Sequence, residues 1–254
     1  MSFLEVRNMC RSFGGLRAVD GVSFAVVKNA IKAVIGPNGA GKTTLFNLIA
    51  GSLEPDSGEV RIDGKNIYNL PPYRIARNGI SRTFQNIKLF SHLTVLENVM
   101  IGRHIRSRSG FIPAMLHLPR SRREERDIRE RSMEILELMD IGDLADRDAM
   151  SLPFGKQRIL EIARALATEP SLLLLDEPAA GLNLYETAQV SEMITGIRER
   201  GITVLVIEHD MSLVMNISDE IVVLSSGRKI AEGVPTEIQK NDEVIRVYLG
   251  EDDA

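Results

Sequence analysis

The sequence predicts an α/β protein with a parallel sheet, an antiparallel β layer near the N-terminus and a helical insertion. Four short, continuous apolar runs are typical of strands that helices cover on both faces. Between residues 3 and 34, and again between 58 and 64, short strands are separated by turn residues. From residue 93 to residue 150 the strand pattern disappears and helical spacing takes its place. The four apolar runs are Ala33 to Ile35, Leu172 to Leu175, Val204 to Ile207 and Ile221 to Leu224.

The N-terminal β layer is predicted from its turn residues. Gly14-Gly15 and Asp20-Gly21 are expected to separate short strands, and Asp63-Gly64 to close a hairpin whose first strand is Gly58 to Ile62. Residues Met1 to Arg11 alternate apolar and polar side chains. This alternation suits a first strand and not the continuous apolar core of a secretory signal, so we expect the protein to stay in the cytosol.

The helical insertion and the C-terminal tail are predicted from helical spacing and capping patterns. Arg122 to Met139 is expected to be a helix, because its apolar residues recur at helical spacing. Thr236 to Gln239, after Pro235, has the form of a helix start, and Gly250 is expected to close the last helix. We expect a single domain over residues 1–254, with a core of 1–92 and 151–254, a helical subdomain of 93–150 and a C-terminal helical tail of 235–254.

Composition bounds the class of protein. The chain has 254 residues, of which 44% are apolar, enough for a substantial core. Its longest apolar runs, such as Ile202 to Ile207, fall far short of the roughly 20 residues that a bilayer crossing needs. The net charge of −4 gives no general attraction to nucleic acid. A single cysteine, Cys10, cannot form an internal disulfide, and we assign it no chemical role.

A phosphate-binding loop follows the first apolar run. The pattern G-x-x-x-x-G-K-[ST] lies directly after a predicted strand and before the amphipathic helix Thr44 to Ala50, which separates it from a plain glycine-rich turn. Glycines let backbone N–H groups turn towards phosphate oxygens, while Lys42 reaches the β and γ phosphates and the Thr43 hydroxyl can bind Mg²⁺. The residues expected to hold the nucleotide are Gly36, Pro37, Asn38, Gly39, Ala40, Gly41, Lys42, Thr43 and Thr44.

Two acids and a histidine follow predicted parallel strands. Asp176 and Glu177 come directly after Leu172 to Leu175, where parallel sheets place their ligand crevice. We expect Asp176 to hold Mg²⁺ through its water shell, and Glu177 to orient and deprotonate the water that attacks the γ phosphate. His209 follows another strand at the same sheet edge, which favours contact with the γ phosphate over a surface position. Spacing gives Gln85 no such support, and by position alone it is a surface residue.

Taken together, these motifs resemble the nucleotide-binding subunit of an ABC transporter, and they occur in that family's order over nearly the whole chain. The resemblance implies a P-loop ATPase core with a RecA-like parallel sheet. Gln85 would then sense Mg²⁺ and the γ phosphate and relay their presence to a permease, and Phe13 would stack on adenine. The segments that carry the resemblance are Gly36 to Thr44, Gln85, Leu152 to Arg158, Leu172 to Glu177, Ala180 to Asn183 and His209.

The resemblance also implies a signature loop that closes on ATP bound by the opposite subunit of a dimer. Two positions depart from the general pattern, because Pro153 stands where a serine is usual and Asn183 where an aspartate is usual. A hydroxyl donor to the γ phosphate is therefore missing. Gly155 and the first N–H groups of the following helix can still meet that phosphate, so we expect an altered site that still turns over. The signature residues are Leu152, Pro153, Phe154, Gly155 and Lys156.

Three stretches resemble more closely the LivG-type subunits of branched-chain amino-acid importers, namely Leu152 to Gly155, Leu160 to Leu166 and Ala231 to Gly250. This implies a peripheral subunit on the inner face of the cell membrane that uses ATP and Mg²⁺. Its partners would be transmembrane permease subunits, a second nucleotide-binding subunit and, indirectly, a solute-binding protein, but no nucleic acid. The apolar residues Ile87, Leu89 and Phe90 are candidates for permease docking or, alternatively, part of the local core.

Other functions stay open at this point. The alternatives are an ABC ATPase for another solute or for lipid or lipopolysaccharide export, a soluble ABC protein, a phosphate-loop kinase and a nucleotide switch that never hydrolyses. Glu177 disfavours the last two, and 254 residues leave no room for the long insertions or fused domains of soluble ABC proteins. The segment Arg103 to Arg131, with nine arginines and four acids, favours a solvated helix face with paired charges over contact with anionic lipid headgroups.

Overall fold

The computed structural model of the chain describes residues 2–85, 87–104 and 119–249. Three strands open this part of the chain, in which three α-helices follow one another between the sixth and seventh strands. The strands are β1 (Ser2–Phe13), β2 (Leu16–Val27), β3 (Ile31–Ile35), β4 (Ser57–Ile62), β5 (Lys65–Asn66), β6 (Ile80–Arg82), β7 (Leu172–Asp176), β8 (Thr203–Ile207), β9 (Glu220–Ser225) and β10 (Arg228–Gly233). The α-helices are α1 (Lys42–Ile49), α2 (Pro72–Arg77), α3 (Val95–Arg103), α4 (Pro119–Leu138), α5 (Phe154–Leu166), α6 (Leu184–Glu199), α7 (Met211–Ile217), α8 (Pro235–Ile238) and α9 (Asp242–Leu249).

The chain divides into two compact units. The first unit takes the residues up to Ile75 and those from Ser171 onward, and the second takes Ala76 to Pro170. The segment 93–150, expected as a helical subdomain, falls inside the second unit.

Two sheets build the first unit. One is antiparallel, in the order β2-β1-β4-β5, and the other contains β10-β9-β3-β8-β7 in that order. In the second sheet β7, β8, β3 and β9 run parallel, while β10 pairs antiparallel with β9. The prediction of a parallel sheet with an antiparallel N-terminal layer is confirmed. Every residue of β3, β7 and β8 is buried, and each buried leucine side chain contributes about 1.5–3 kcal/mol to folding.

Two of the predicted turns are confirmed, and their backbone angles explain the residues used. Gly14 and Gly15 have φ of 51° and 92°, and Asp63 and Gly64 have φ of 48° and 74°. Positive φ at both central residues is the property of the type I′ hairpin turn, whose twist matches that of the two strands it joins. Glycine and aspartate adopt this region at low cost.

The predicted turn at Asp20-Gly21 is wrong, because both residues lie inside β2. The pairing of β1 with β2 passes from Met9 opposite Val22 to Arg11 opposite Val19, so two residues of β2 face one of β1. The extra residue makes a β-bulge, and Gly21 takes the positive φ of 68° that the bulge requires. Sequence alone does not separate a bulge from a turn, since both use glycine for the same backbone reason.

The second unit is built around α3, α4 and α5. Helix α3 begins with a capping box, in which the Thr94 hydroxyl accepts from the Glu97 N–H and the Glu97 carboxylate accepts from the Thr94 N–H. The helix predicted from Arg122 begins three residues earlier, at Pro119, and buries Ile128 and Leu136 of the predicted apolar positions. Residues 105–118 of the arginine-rich segment lie outside the described residues.

The C-terminal tail contains α8 and α9. Helix α8 begins at Pro235 and not at Thr236, because proline is pre-set for the first helical position. The Glu237 carboxylate accepts from the Val234 N–H over 3.3 Å and closes this start. Gly250, expected to close α9, lies outside the described residues. None of the described helices combines the length and the apolar character that crossing a bilayer needs.

Candidate functional site

Three loops that follow parallel strands meet at one edge of the sheet in the first unit. Strand β3 leads into Gly36, β7 ends at Asp176, and β8 is followed by Glu208 and His209. Ile207, at the end of β8, lies opposite Asp176 of β7 and also opposite a residue near the end of β3. Because the three strands run in parallel, their carboxyl ends place the phosphate loop, the acidic pair and the histidine side by side.

The loop from Gly36 to Gly41 packs so closely that two positions exclude a side chain. A Cβ atom on Gly36 would lie 2.1 Å from the carbonyl oxygen of Leu224, and one on Gly41 would lie 2.2 Å from that of Ala18. Gly41 also has φ of 97°, which glycine adopts more readily than other residues. By contrast, a Cβ on Gly39 would meet no atom within 4 Å. The loop is therefore held on both sides by neighbouring backbone and is open at Gly39.

Helix α1 begins where this loop ends. Gly41 is its N-cap, and no side chain makes a capping hydrogen bond there. Lys42 is buried in the first turn, whereas Thr43 is exposed and Thr44 is half-buried. The first N–H groups of a helix have no partner within it, and the helix dipole adds positive potential at the same place. This end of α1 is therefore suited to bind phosphate.

Lys42 places a positive charge inside the loop. Its Nζ donates to the carbonyl oxygen of Gly36 over 2.7 Å and to that of Pro37 over 2.9 Å. Burial lowers the pKa of Lys42, and the negative charges of Glu177 and Asp176 act in the opposite direction. The loop therefore offers a phosphate one charged donor, the Lys42 ammonium, in addition to its neutral backbone N–H donors. Hydrogen bonds from a charged donor to phosphate are stronger than those from neutral donors.

The acidic pair has one buried and one accessible carboxylate. Asp176 is 1% exposed, whereas the Glu177 side chain is 19% exposed. Glu177 adopts φ of 49°, and its N–H donates to the carbonyl oxygen of Ile207 over 2.9 Å. One Glu177 carboxylate oxygen lies 4.0 Å from Nδ1 of His209, whose side chain is 63% exposed. The accessible acid and the histidine thus face the same space at the sheet edge, where the acid can take a proton from water.

Sequence reasoning missed Glu208, which is fully buried beside these groups. Burial raises the pKa of Glu208, and hydrogen bonds from the backbone N–H groups of Ala179, His209 and Asp210 act against that rise. The sequence did contain a signal for Glu208, because this acid directly precedes His209, a predicted site residue. An acid at the end of a strand is, however, usually a solvated residue, and only the fold reveals that this one is enclosed.

Two aromatic residues are linked to the phosphate loop, Phe13 through a nearby residue of its hairpin and Tyr248 through a contact of its own. Phe13 pairs with Leu16 at the β1–β2 turn, two residues before Ala18, whose carbonyl oxygen abuts Gly41. Its ring is 46% exposed and carries the Arg11 guanidinium 5.0 Å from its centre. Such an exposed ring offers a face for stacking.

The second aromatic residue, Tyr248, was not predicted as part of the site. It comes from α9 in the C-terminal tail. Burial raises the pKa of Tyr248, and a hydrogen bond from the backbone of Gly36 acts against that rise, which places the hydroxyl at the start of the loop. Nothing in the local sequence links residue 248 to residue 36, since the contact depends on how the tail folds back.

The remaining predicted site residues, Gln85 and Leu152 to Lys156, belong to the second unit. Pro153 is the N-cap of α5 and makes no side-chain capping bond, so the first N–H groups of this helix resemble those of α1. Gly155 is buried in the first turn, while Phe154 is 50% exposed. The buried Arg158 of the same helix donates to the backbone carbonyl oxygen of Gln85 over 3.0 Å.

The residues present fit a magnesium ion that is held mainly by a nucleotide. Among the described residues, no group of three or more His, Cys, Asp or Glu side chains is placed to hold a metal ion by itself. Mg²⁺ in nucleotide sites keeps several waters and uses one or two carboxylates together with phosphate oxygens. Asp176 supplies one buried carboxylate, whose negative charge acts on the pKa of Lys42, and the next residue, Thr43, carries an exposed hydroxyl. These two groups match this smaller requirement.

Comparisons with known proteins agree with this geometry. The profile of the ABC transporter family matches residues 19–180, and a profile described as branched-chain amino acid ATP-binding cassette transporter matches residues 228–254. The chain is 46% identical over 249 residues to the high-affinity branched-chain amino acid transport ATP-binding protein BraF of Pseudomonas aeruginosa, with 98% of each protein covered. It is 43% identical to the corresponding LivG protein of Escherichia coli K12, again with 98% of each covered. The crystal structure of the ADP conformation of an ATP-binding cassette of an ABC transporter matches with a TM-score of 0.86 at 35% identity, over 99% of this chain and 100% of that chain.

Proposed function

The chain belongs to the ABC transporter family and carries its ATPase domain, and from this premise we propose that it hydrolyses ATP to drive the import of branched-chain amino acids. The observation that carries the proposal is the approach of Glu177 to His209, at 4.0 Å, on the sheet edge where the phosphate loop begins. An accessible base beside a phosphate site is the minimum that attack by water on ATP requires.

The phosphate loop and α1 bind the triphosphate in this proposal. In this proposal the N–H groups between Gly36 and Thr44 bind the phosphate oxygens, and the Lys42 ammonium spans the β and γ phosphates. Lys42 already lies within the loop through its bonds to Gly36 and Pro37, so little reorganisation is needed when phosphate enters. The Phe13 ring stacks on adenine.

Hydrolysis falls to Glu177 and His209. The Glu177 carboxylate accepts a proton from water as the water oxygen bonds to the γ phosphorus, and the bond from that phosphorus to the β-phosphate oxygen breaks. ADP and phosphate are the products. His209 donates a hydrogen bond to the γ phosphate and so stabilises the charge that develops on its oxygens. Mg²⁺, when bound, neutralises phosphate charge, and Thr43, Asp176 and Gln85 are the residues that we propose to hold it.

The working form in this proposal is a dimer of nucleotide-binding subunits below a membrane permease, on the inner face of the membrane. The N-terminus of α5, with Pro153 and Gly155, meets the γ phosphate of ATP that the other subunit binds. Support comes from the start of α5, which presents helix N–H groups without a side-chain cap. A solute-binding protein delivers the amino acid to the permease.

The choice of solute rests on the relatives and on the C-terminal tail. Both named relatives are described as branched-chain amino acid transport proteins, and the tail matches a profile of the same description. We therefore propose leucine, isoleucine and valine as the transported solutes.

Uptake of labelled leucine, isoleucine and valine tests this proposal in cells that lack the chain and any second system for these amino acids. Uptake is expected to fall to background and to return with the wild-type chain but not with Glu177→Gln. Undiminished uptake of all three amino acids would overturn the solute assignment, while phosphate release by the purified chain tests the ATPase activity separately.

A further inference from the structure

The carboxylate of Glu208 lies between two loops of the proposed catalytic centre. One loop begins at Glu177, directly after β7, and the other begins at Glu208 itself, directly after β8. Glu208 has no exposed surface. Its carboxylate is therefore not accessible to solvent, and its role must be sought in the groups around it.

Each carboxylate oxygen of Glu208 serves a different loop. One oxygen accepts from the N–H of Ala179 over 2.8 Å. The other accepts from the N–H of His209 over 3.1 Å and from that of Asp210 over 3.5 Å. Only an acceptor with two oxygens at this spacing can satisfy backbone donors that approach from both loops at once.

The Glu177 loop is attached to the end of β8 at two points. The Glu177 N–H donates to the carbonyl oxygen of Ile207, and two residues later the Ala179 N–H donates to Glu208. Between these points Glu177 adopts a left-handed backbone conformation, with φ of 49°. A non-glycine residue keeps such a conformation only when its surroundings hold it there. The hydrogen bond from the Ala179 N–H to Glu208 is one of the bonds that hold this loop.

We infer that Glu208 is a positioning residue, which holds the loop of Glu177 and the loop of His209 at one fixed separation. This inference rests on the proposed function, because it assigns Glu177 and His209 to ATP hydrolysis. The separation matters because the base must reach the attacking water while the histidine reaches the γ phosphate of the same ATP. Displacement of a catalytic group by about 1 Å is enough to lower a rate on the order of 100-fold.

Substitution of Glu208 should therefore affect turnover and not ATP affinity. The phosphate loop and Lys42 make no hydrogen bond to Glu208 among the described contacts, so the KM for ATP is expected to change less than about threefold. Glu208→Ala leaves the donors of both loops without their acceptor, and kcat is expected to fall by about 10- to 100-fold. Glu208→Gln keeps the shape but replaces one acceptor by an NH₂ donor that faces N–H groups. Its kcat is expected to lie above that of Glu208→Ala and below that of the wild type by more than about twofold.

The experiment measures kcat and KM for ATP by phosphate release, together with Tm, for wild type, Glu208→Ala, Glu208→Gln, His209→Ala and the double variant Glu208→Ala/His209→Ala. Glu199→Ala, which removes an exposed acid at the end of α6, is the control and should match the wild type. Because Glu208 positions His209 as well as Glu177, its removal should lower kcat less in the His209→Ala background, where only Glu177 can still be displaced, than in the wild type. A merely structural effect would lower Tm and multiply with the loss from His209→Ala.

Two results would overturn the inference. One is a Glu208→Gln variant with kcat within twofold of wild type. This result can be obtained even if Glu208→Ala fails to fold. The other is a full, multiplicative loss of kcat in the double variant. Failure of the proposed function itself would look different, since Glu177→Gln would then release phosphate at a normal rate.

Discussion

The guanidinium of Arg158 donates a hydrogen bond to the backbone carbonyl oxygen of Gln85 over 3.0 Å. Arg158 also donates to the carbonyl oxygen of Phe84 over 3.0 Å and to the Glu161 carboxylate over 3.1 Å. Both Arg158 and Glu161 are almost completely buried. The helix that begins at the proposed signature loop is thus tied directly to the backbone of the proposed γ-phosphate sensor, within one compact unit.

Removal of Arg158 should destabilise this unit strongly. Arg158→Ala leaves Glu161 buried without its nearest positive charge, and such a loss costs about 3–5 kcal/mol. Burial already raises the pKa of Glu161, against the attraction of Arg158, so protonation of Glu161 limits the loss to the lower end of that range. Chemical denaturation measures the free energy of unfolding.

A matched control exists in the same unit, because Arg131 pairs with Glu134 at the same i,i+3 spacing and the same 3.1 Å distance. Those two side chains are 55% and 61% exposed, so Arg131→Ala should change the stability by less than about 1 kcal/mol. Equal losses for the two arginine variants would show that burial does not decide the strength of the Arg158 contacts.

Glu177→Gln should separate ATP binding from hydrolysis. The substitution keeps the size and hydrogen-bonding reach of the side chain but removes the base, so phosphate release is expected to fall by about 100-fold or more. ATP affinity, measured by calorimetry, should persist, and the variant should accumulate as an ATP-dependent dimer in gel filtration. Near-normal phosphate release would remove Glu177 from its proposed role.

Gly41→Ala and Gly39→Ala should differ in stability although both place alanine at positive φ. The φ values are 97° and 80°, so the conformational strain is similar, about 1 kcal/mol. Only at Gly41 does the new Cβ meet a backbone atom, the carbonyl oxygen of Ala18 at 2.2 Å. Overpacking of this kind adds about 1–3 kcal/mol. Thermal unfolding without nucleotide measures the two losses of stability, and a larger loss at Gly39 would contradict the close packing at Gly41.

Pro153→Ser should change ATP hydrolysis by less than about tenfold, because helix N–H groups at the start of α5 already offer donors to phosphate. Gly155→Val should reduce turnover of the assembled transporter strongly. Gly155 is buried in the first turn of α5, and a branched side chain there would keep the backbone away from phosphate. Intact turnover of Gly155→Val would mean that this segment is not the loop that acts on the partner's ATP.

Phe90→Asp should uncouple the subunit from its permease without unfolding it. The Phe90 ring is 48% exposed, while its backbone N–H and carbonyl oxygen are both hydrogen-bonded to the buried Asn98 side chain. The Arg164 guanidinium, 5.6 Å from the ring centre, can accommodate the new carboxylate. ATP affinity and Tm of the isolated subunit should stay close to wild type, whereas co-purification with the permease should fall. Retention of the permease would mean that Phe90 is not part of the docking surface.

The sequence by itself determined the elements and groups that depend on neighbouring residues. The apolar runs Leu172 to Leu175 and Val204 to Ile207 predicted parallel strands, and Gly14-Gly15 and Asp63-Gly64 predicted two of the turns. The loop from Gly36 to Thr43 was recognisable because its glycines, its lysine and the flanking strand and helix are all local. Such features can be predicted because the types of adjacent residues determine the backbone angles of a turn and the burial pattern of a strand.

Only the tertiary structure decided the features that depend on contacts between residues distant in the chain. Asp20 and Gly21 form a bulge inside β2 instead of a turn, since β1 pairs on both sides of them. Glu208 is enclosed by backbone N–H groups of two loops, and Arg158 by carbonyl oxygens more than 70 residues away. A charged side chain in a sequence looks solvated by default. Whether it is instead buried and paired depends on non-local contacts, because only folding brings the compensating donors and acceptors to it.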